Sequence, residues 1–259
     1  MTLKDYARLV KFRYHISFLE VVIPAIFFTG GISIPLIEKI ALLYVTLNLF
    51  LYTGLYTLND IGDLKSDRSH PIKKNRPIAS GKVSVKSGLA FALGSIALGM
   101  ATGYILFGHI VLLLYAVFVC LNVFYTFYAK HVPYLDLVAN SLTHPLRALL
   151  ALQVIGYTSI PYLMLACNFL FMIGAMSIRR VVEKDIDGWE ARKVLQSYKN
   201  SSLIILKTFI LAAMIALFAL DKFKYAPIYL TMIVIFTVFA IGIHVFPQVR
   251  KLSRSMATK

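Results

Sequence analysis

An all-α bundle of membrane-spanning helices is the fold class this sequence predicts, and three observations carry the prediction. Of the 259 residues, 59% are hydrophobic and only 15% charged, whereas soluble domains average about 25% charged. The apolar residues fall in runs of about 20, the length a helix needs to cross a bilayer. The basic residues collect in alternate gaps between those runs.

Eight spans follow from the runs and their breakers. The first, residues 16–35, has no small-residue cleavage site after it, so it reads as a retained span and not a signal peptide. The second, 40–58, leads straight into NDIGDLKSDRSHPIKKNRPIASG, from Asn59 to Gly81. The third and fourth, 87–107 and 109–128, are parted by Gly108 and His109. The fifth, 133–154, carries His144 and Arg147 within it. Gly156 to Pro161 is a turn signal before the sixth, 160–178. Residues 202–220 and 226–247 complete the set. Cys120 and Cys167 lie in apolar runs, which points to packing and not to a disulfide or a metal site.

Basic residues test this map, because they favour the cytoplasmic side. One side receives the amino end (Lys4, Arg8, Lys11, Arg13), the connection with Lys65 to Lys86, Lys130, the connection with Arg179 to Lys199, and the tail from Arg250. The other side receives Lys39, Lys222 and Lys224. Eight crossings with both termini cytoplasmic satisfy this split. The net charge of +15 is thereby explained by the membrane, with no nucleic acid needed. No linker or soluble appendage interrupts the chain, so residues 1–259 form one domain.

Acidic residues do little for topology, yet the two long cytoplasmic connections hold Asp60, Asp63, Asp67, Glu183, Asp185, Asp187 and Glu190, seven of the twelve in the chain. If the second span continues as helix, Asp60, Asp63 and Asp67 fall within an arc of about 60° along about 10 Å of axis. Asn59 lies on the same side. Like charges so placed oppose a helix unless a cation joins them. Mg²⁺ takes oxygen ligands and is usually shared between carboxylates and substrate phosphates. Arg68, Lys73, Lys74 and Arg76 follow at once, and they suit the remaining oxygens of a Mg-diphosphate. The plain alternative is a solvated loop with surface ion pairs. In the second connection Glu183, Asp187 and Glu190 share a helical face, with Arg180 beside them. Here the alternative is an interfacial helix anchored by Trp189.

Arg147 is a functional candidate because it is ionisable inside a span, and a phosphate oxygen is the partner expected for it. His144 reads as a core residue. Asn122, Tyr125 and Tyr128 line one helix, where aromatic rings could face a cationic carbon. Glu20 and Lys207 receive no role.

N-D-x-x-D-x-x-x-D at Asn59–Asp67, followed by R-P-I-A-S-G at Arg76–Gly81, resembles the first signature of the UbiA superfamily of intramembrane prenyltransferases. Within it, D-R-x-H-P-x-K-x-x-R-P-I-A-S-G at Asp67–Gly81 is similar to the branch that makes decaprenylphosphoryl-5-phosphoribose. Arg179-Arg180 with Glu183, the run from Arg192 to Tyr198, Lys130, and Arg147-Ala148 also resemble that branch. The chain departs from the superfamily pattern in three places. Asp185 is followed four residues later by Trp189 where D-x-x-x-D is usual, eight spans are counted instead of nine, and an amino-terminal R-P pair is missing from LVKFRYHISF.

The resemblance implies a Mg²⁺-dependent transferase acting on a diphosphate donor and a polyprenyl lipid within the bilayer. Asp60, Asp63, Asp67, Glu183 and Asp187 are its expected metal-binding and catalytic residues. Asn59, Arg68, Lys73, Arg76, Lys130, Arg147, Arg180, Tyr125 and Lys193 are its expected substrate contacts. The donor expected is phosphoribosyl diphosphate and the acceptor polyprenyl phosphate. One alternative moves a prenyl group to an aromatic ring or glyceryl phosphate. The other is a transporter or lipid-binding protein without chemistry.

Overall fold

A computed structural model of the protein describes residues 3–70, 72–184 and 193–258. Every regular element among them is helical. Seven helices are long and apolar enough to cross a membrane, one fewer than the runs predict. The run at 133–154 makes the difference. It is broken at Leu142 into Leu135–Ser141 and Thr143–Ile155, with Pro145 in the first turn of the second piece, where a missing N–H costs nothing. Counting apolar residues could not register that break. The chain divides into two compact units. The first holds Met1–Phe127 with Leu146–Ile160, and the second Tyr128–Pro145 with Pro161–Lys259.

In the first unit, the amino end turns sharply at Lys11, whose φ of 52° is left-handed, before a 3-10 stretch leads into α1 (Leu19–Thr29). The second span, α2 (Ile34–Gly62), is longer than its apolar run. Ser33 caps its start, and its helix continues through Asn59 and Asp60. Its middle, Val45–Tyr52, is wound as π-helix. α3 (Val85–Phe107) starts at the Ser84 cap, and α4 (His109–Phe127) follows after Gly108 alone.

α2 and α3 meet backbone to backbone. A Cβ on Gly54 would lie 2.5 Å from the Ala92 carbonyl oxygen, and one on Gly99 would lie 2.8 Å from the Leu51 nitrogen. Thr46 and Tyr115 hydrogen-bond across the core at 2.7 Å. Leu43, Leu47, Leu51, Tyr52, Leu55, Tyr115 and Phe118 fill that core. A small separate cluster of Leu9, Ile78 and Val83 ties the amino end to the loop after α2. Ile105, Leu113 and similar exposed apolar residues form the outer surface a bilayer would cover.

In the second unit, α5 (Leu135–Ser141) packs on α7 (Tyr162–Glu183), and α6 (Thr143–Ile155) runs from this unit into the first. α7 packs on α8 (Asn200–Leu220) and α9 (Ala226–Val245). α8 and α9 are antiparallel across Asp221–Tyr225, a turn that holds Lys222, Phe223 and Tyr225 at positive φ. α10 (Pro247–Thr258) folds back, with Val249 pressed against Gly242. Gly174 of α7 admits the ring of Phe236, which would lie 2.3 Å from a Cβ there.

Candidate active site

The end of α2 builds the first cluster. The helix breaks at Asp63, with φ −90° and ψ 1°, and resumes over Leu64–Ser69. The i to i−4 bonding survives the break: Asp63 N donates to Asn59 O and Asp67 N to Asp63 O, both at 2.8 Å. Asp63 and Asp67 remain close enough for the charge of one to bear on the other.

Arg76 joins two of them. Its guanidinium donates to Asp60 Oδ1 at 2.9 Å and to Asp67 Oδ2 at 2.7 Å. The signature Arg76–Gly81 is the turn that presents it. Ser80 N closes on Arg76 O, Val83 N on Pro77 O, Ile78 is buried, and Gly81 takes φ 77°, which glycine adopts without a Cβ clash. Lys11 is the residue sequence reading missed. Its Nζ reaches Asp60 Oδ1 at 2.6 Å. The left-handed turn at Lys11 helps place it there, and no local pattern links it to a residue 49 positions on. Asp60 is 1% exposed, and its Oδ2 is buried with no hydrogen-bond partner.

The remaining predicted contacts divide. Asn59 donates from Nδ2 to Asp63 Oδ2 at 2.9 Å and accepts from Thr126. Arg68 donates from Nε to Ala79 O at 3.4 Å, so it braces the loop. Lys73 opens an exposed 3-10 turn. His70 caps that turn, its Nδ1 accepting from Ile72 N and Lys73 N. Burial and the charge of Lys73 pull the His70 imidazole below its ordinary value. Burial opposes the charge on Arg76, but Asp60 and Asp67 hold it above its usual value. Burial also lifts the Asp67 carboxyl, against the pull of Arg76.

Arg147, the expected phosphate contact, meets a carboxylate within the protein. It donates to Glu20 Oε2 at 2.9 Å, and its guanidinium lies 5.0 Å from the Tyr52 ring centre and 5.5 Å from that of Phe118. Glu20, without a role in the sequence, is thus its counter-ion. Tyr125 is half-buried on α4.

The second cluster lies at the end of α7. Arg180, 1% exposed, donates to Asp136 Oδ2 at 2.8 Å and to Glu183 Oε2 at 2.6 Å. Arg179 donates to Glu183 Oε1 at 2.8 Å. Tyr198 donates to Asp136 Oδ1, and Lys184 to the Tyr198 carbonyl. Burial and the neighbouring carboxylate push the Tyr198 hydroxyl above its ordinary value. Asp136 escaped sequence reading because it sat inside a presumed span. Lys130 is buried on the 3-10 turn Ala129–His131. Asp185, Asp187 and the side chain of Lys193 lie outside the described residues.

Among the described residues, no three His, Cys, Asp or Glu side chains stand together as a metal site. In the first cluster the positive charge is supplied by Lys11 and Arg76. The donor set nevertheless suits Mg²⁺: all-oxygen ligands, with one buried Asp60 oxygen lacking any partner.

The profile of the UbiA prenyltransferase family matches residues 19–257. A protein named decaprenyl-phosphate phosphoribosyltransferase, from Corynebacterium glutamicum, is 29% identical over 174 residues, covering 66% of this chain and 52% of that one. One of the same name from Mycobacterium tuberculosis is 26% identical over 203 residues, covering 75% and 66%. The chain therefore spans about half to two thirds of the length of these curated relatives. Among solved structures, a UbiA homolog from Archaeoglobus fulgidus bound to GPP and Mg²⁺ superimposes with a TM-score of 0.77 at 18% identity, over 98% of this chain and 95% of that one.

Proposed function

The chain belongs to the UbiA prenyltransferase family, and on that premise we propose that it moves 5-phosphoribosyl from phosphoribosyl diphosphate to a polyprenyl phosphate. The observation that carries the reading is the joined cluster of Asp60, Asp67, Arg76 and Lys11, with its partnerless carboxylate oxygen. A cluster with both signs of charge suits a substrate that brings both a divalent cation and a diphosphate. The Asp67–Gly81 signature and the names of the two relatives support the ribosyl donor over a prenyl one.

In this reading Asp60, Asp63 and Asp67 hold Mg²⁺, which when bound neutralises the departing diphosphate as a Lewis acid. Arg76 and Lys11, freed from sole duty to the aspartates, bind diphosphate oxygens. Charge placed in advance where it develops is usually the largest catalytic term. Asn59 fixes the Asp63 carboxylate, and Arg68 holds the loop that carries Arg76. Lys73 and Lys130 add contacts to phosphate, and Tyr125 faces the anomeric carbon as positive charge grows on it. Glu183 and Asp187 are proposed as ligands from the second connection, which requires Glu183 to give up Arg179 or Arg180. Arg180 and Lys193 then serve the acceptor phosphate.

Purified protein is incubated with labelled phosphoribosyl diphosphate, polyprenyl phosphate and Mg²⁺, and lipid-linked label is extracted. Label in the lipid phase is expected. Turnover of geranylgeranyl diphosphate with an aromatic or glyceryl phosphate acceptor, and no ribosyl transfer, would overturn the assignment.

A further inference from the structure

Asp136 is fully buried in the first turn of α5, and a carboxylate taken out of water is costly unless it is paired. It is paired on both oxygens. Oδ1 accepts from the Tyr198 hydroxyl, which in turn accepts from Tyr134 N at 2.8 Å. Oδ2 takes one edge of the Arg180 guanidinium: Nε donates to it at 2.8 Å, and Nη2 lies at the same distance. The remaining nitrogen, Nη1, donates to Glu183 Oε2 at 2.6 Å. Lys184 donates to the Tyr198 carbonyl, and the Tyr134 ring meets that of Tyr198 edge-on, with centres 5.1 Å apart.

The two carboxylates hold Arg180 differently. Asp136 takes two nitrogens on one edge, and a contact of that kind fixes the plane of the guanidinium. It comes from another helix and is itself held by Tyr198. Glu183 takes one nitrogen, lies one turn along the same helix, and has Arg179 on its other oxygen at 2.8 Å. The Arg179 side chain is 47% exposed, that of Arg180 1%. Glu183 can therefore leave Nη1 and keep a cation, and Arg180 can lose Glu183 and keep an anion. Stranding a buried charge is what makes breaking such a pair costly, and this exchange strands neither.

We propose that Asp136 is a positioning residue for phosphate recognition. It holds Arg180 by one edge, so that Nη1 is aimed and can pass from Glu183 to an oxygen of the acceptor lipid's phosphate. Tyr198 fixes Asp136 in turn. This role rests on the reading of the chain as a transferase with a polyprenyl phosphate acceptor. It selects Arg180, and not Arg179, as the arginine that Glu183 releases.

Full-length protein in detergent is titrated with a polyprenyl phosphate and, separately, with the matching polyprenol, which lacks the phosphate. Asp136→Asn keeps the shape and an oxygen for Arg180 but removes the charge. It should weaken binding of the phosphate about tenfold or more, while polyprenol binds as to wild type. In an Arg180→Gln background, Asp136→Asn should cause no further loss, because its effect passes through Arg180. Equal weakening of both lipids would mark a general disturbance of the fold and overturn the proposal. Unchanged affinity for the phosphate, or a full further loss in the double variant, overturns it too. Wild-type protein that binds the phosphate no better than the alcohol overturns the acceptor reading together with it. If Asp136→Asn does not fold, Tyr198→Phe decides: the same phosphate-specific loss is expected, and wild-type affinity overturns the proposal.

Discussion

Asp60 offers one oxygen to Lys11 and Arg76 and keeps the other buried and bare. Asp60→Asn keeps the volume and removes the charge that both cations and a metal need. Its turnover should fall by about 10²-fold or more in a protein that still folds, and near-normal kcat/KM would sink the metal reading. Asp67 predicts a pH effect. A carboxyl raised by burial favours the folded state while protonated. That contribution is full at pH below the ordinary Asp value and is lost as pH rises through the folded-state value. Activity should run the opposite way, because Arg76 and the metal need the carboxylate. The acid limb of kcat/KM should therefore lie above the usual Asp range, and Arg76→Gln should move it higher still. An acid limb in the ordinary Asp range would show that Asp67 does not govern turnover. These contacts were only partly legible in the sequence. The i, i+3 and i+4 spacing of the acids was readable, because helix geometry is local. Lys11 was not, since a left-handed turn places it beside a residue far along the chain.

At the level of the helix, α2 is held by what its glycines allow. The Gly54 Cβ position is occupied by the Ala92 carbonyl, a backbone atom that no rotamer change can move. Gly54→Ala must push α2 from α3, costing about 1–3 kcal/mol and shifting the end of α2 that carries Asp60. Gly94→Ala is the control: it meets nothing within 4 Å and should hold or slightly raise the melting temperature, since alanine favours helix over glycine. Equal melting curves for the two variants would show that the close approach is dispensable. Helix existence was legible from apolar runs, but helix continuity was not. Residues 133–154 are apolar enough to span, yet the chain breaks at Leu142. Asp136 lies in the first turn of the short helix before that break, where it pairs with Arg180.

On the scale of the molecule, this is an integral membrane protein, and its charge distribution predicts its orientation. With the broken stretch 133–154 completing an eighth crossing, reporter fusions at either terminus, near Asn75 or near Lys199, should all mark the cytoplasmic side, and one at Lys222 the opposite side. A split among the first four would refute the topology. The second connection is less legible than the first because Glu183 has matching guanidiniums on both oxygens. A row of acids on a helical wheel indicates which carboxylates are neighbours. It does not indicate which of them a nearby arginine has already claimed.

The π-wound stretch Val45–Tyr52 adds a constraint on chain length. A wide turn is what remains when one residue is added to a regular helix. Deleting one residue there would restore α-helix and leave the aspartates on nearly the same face, because the wide turn had absorbed the extra residue. The same deletion in the regular helix on either side would turn everything after it by about 100° and aim the aspartates elsewhere. Within α2, a one-residue deletion should therefore be tolerated in the π-wound stretch and not between Tyr52 and Asp60.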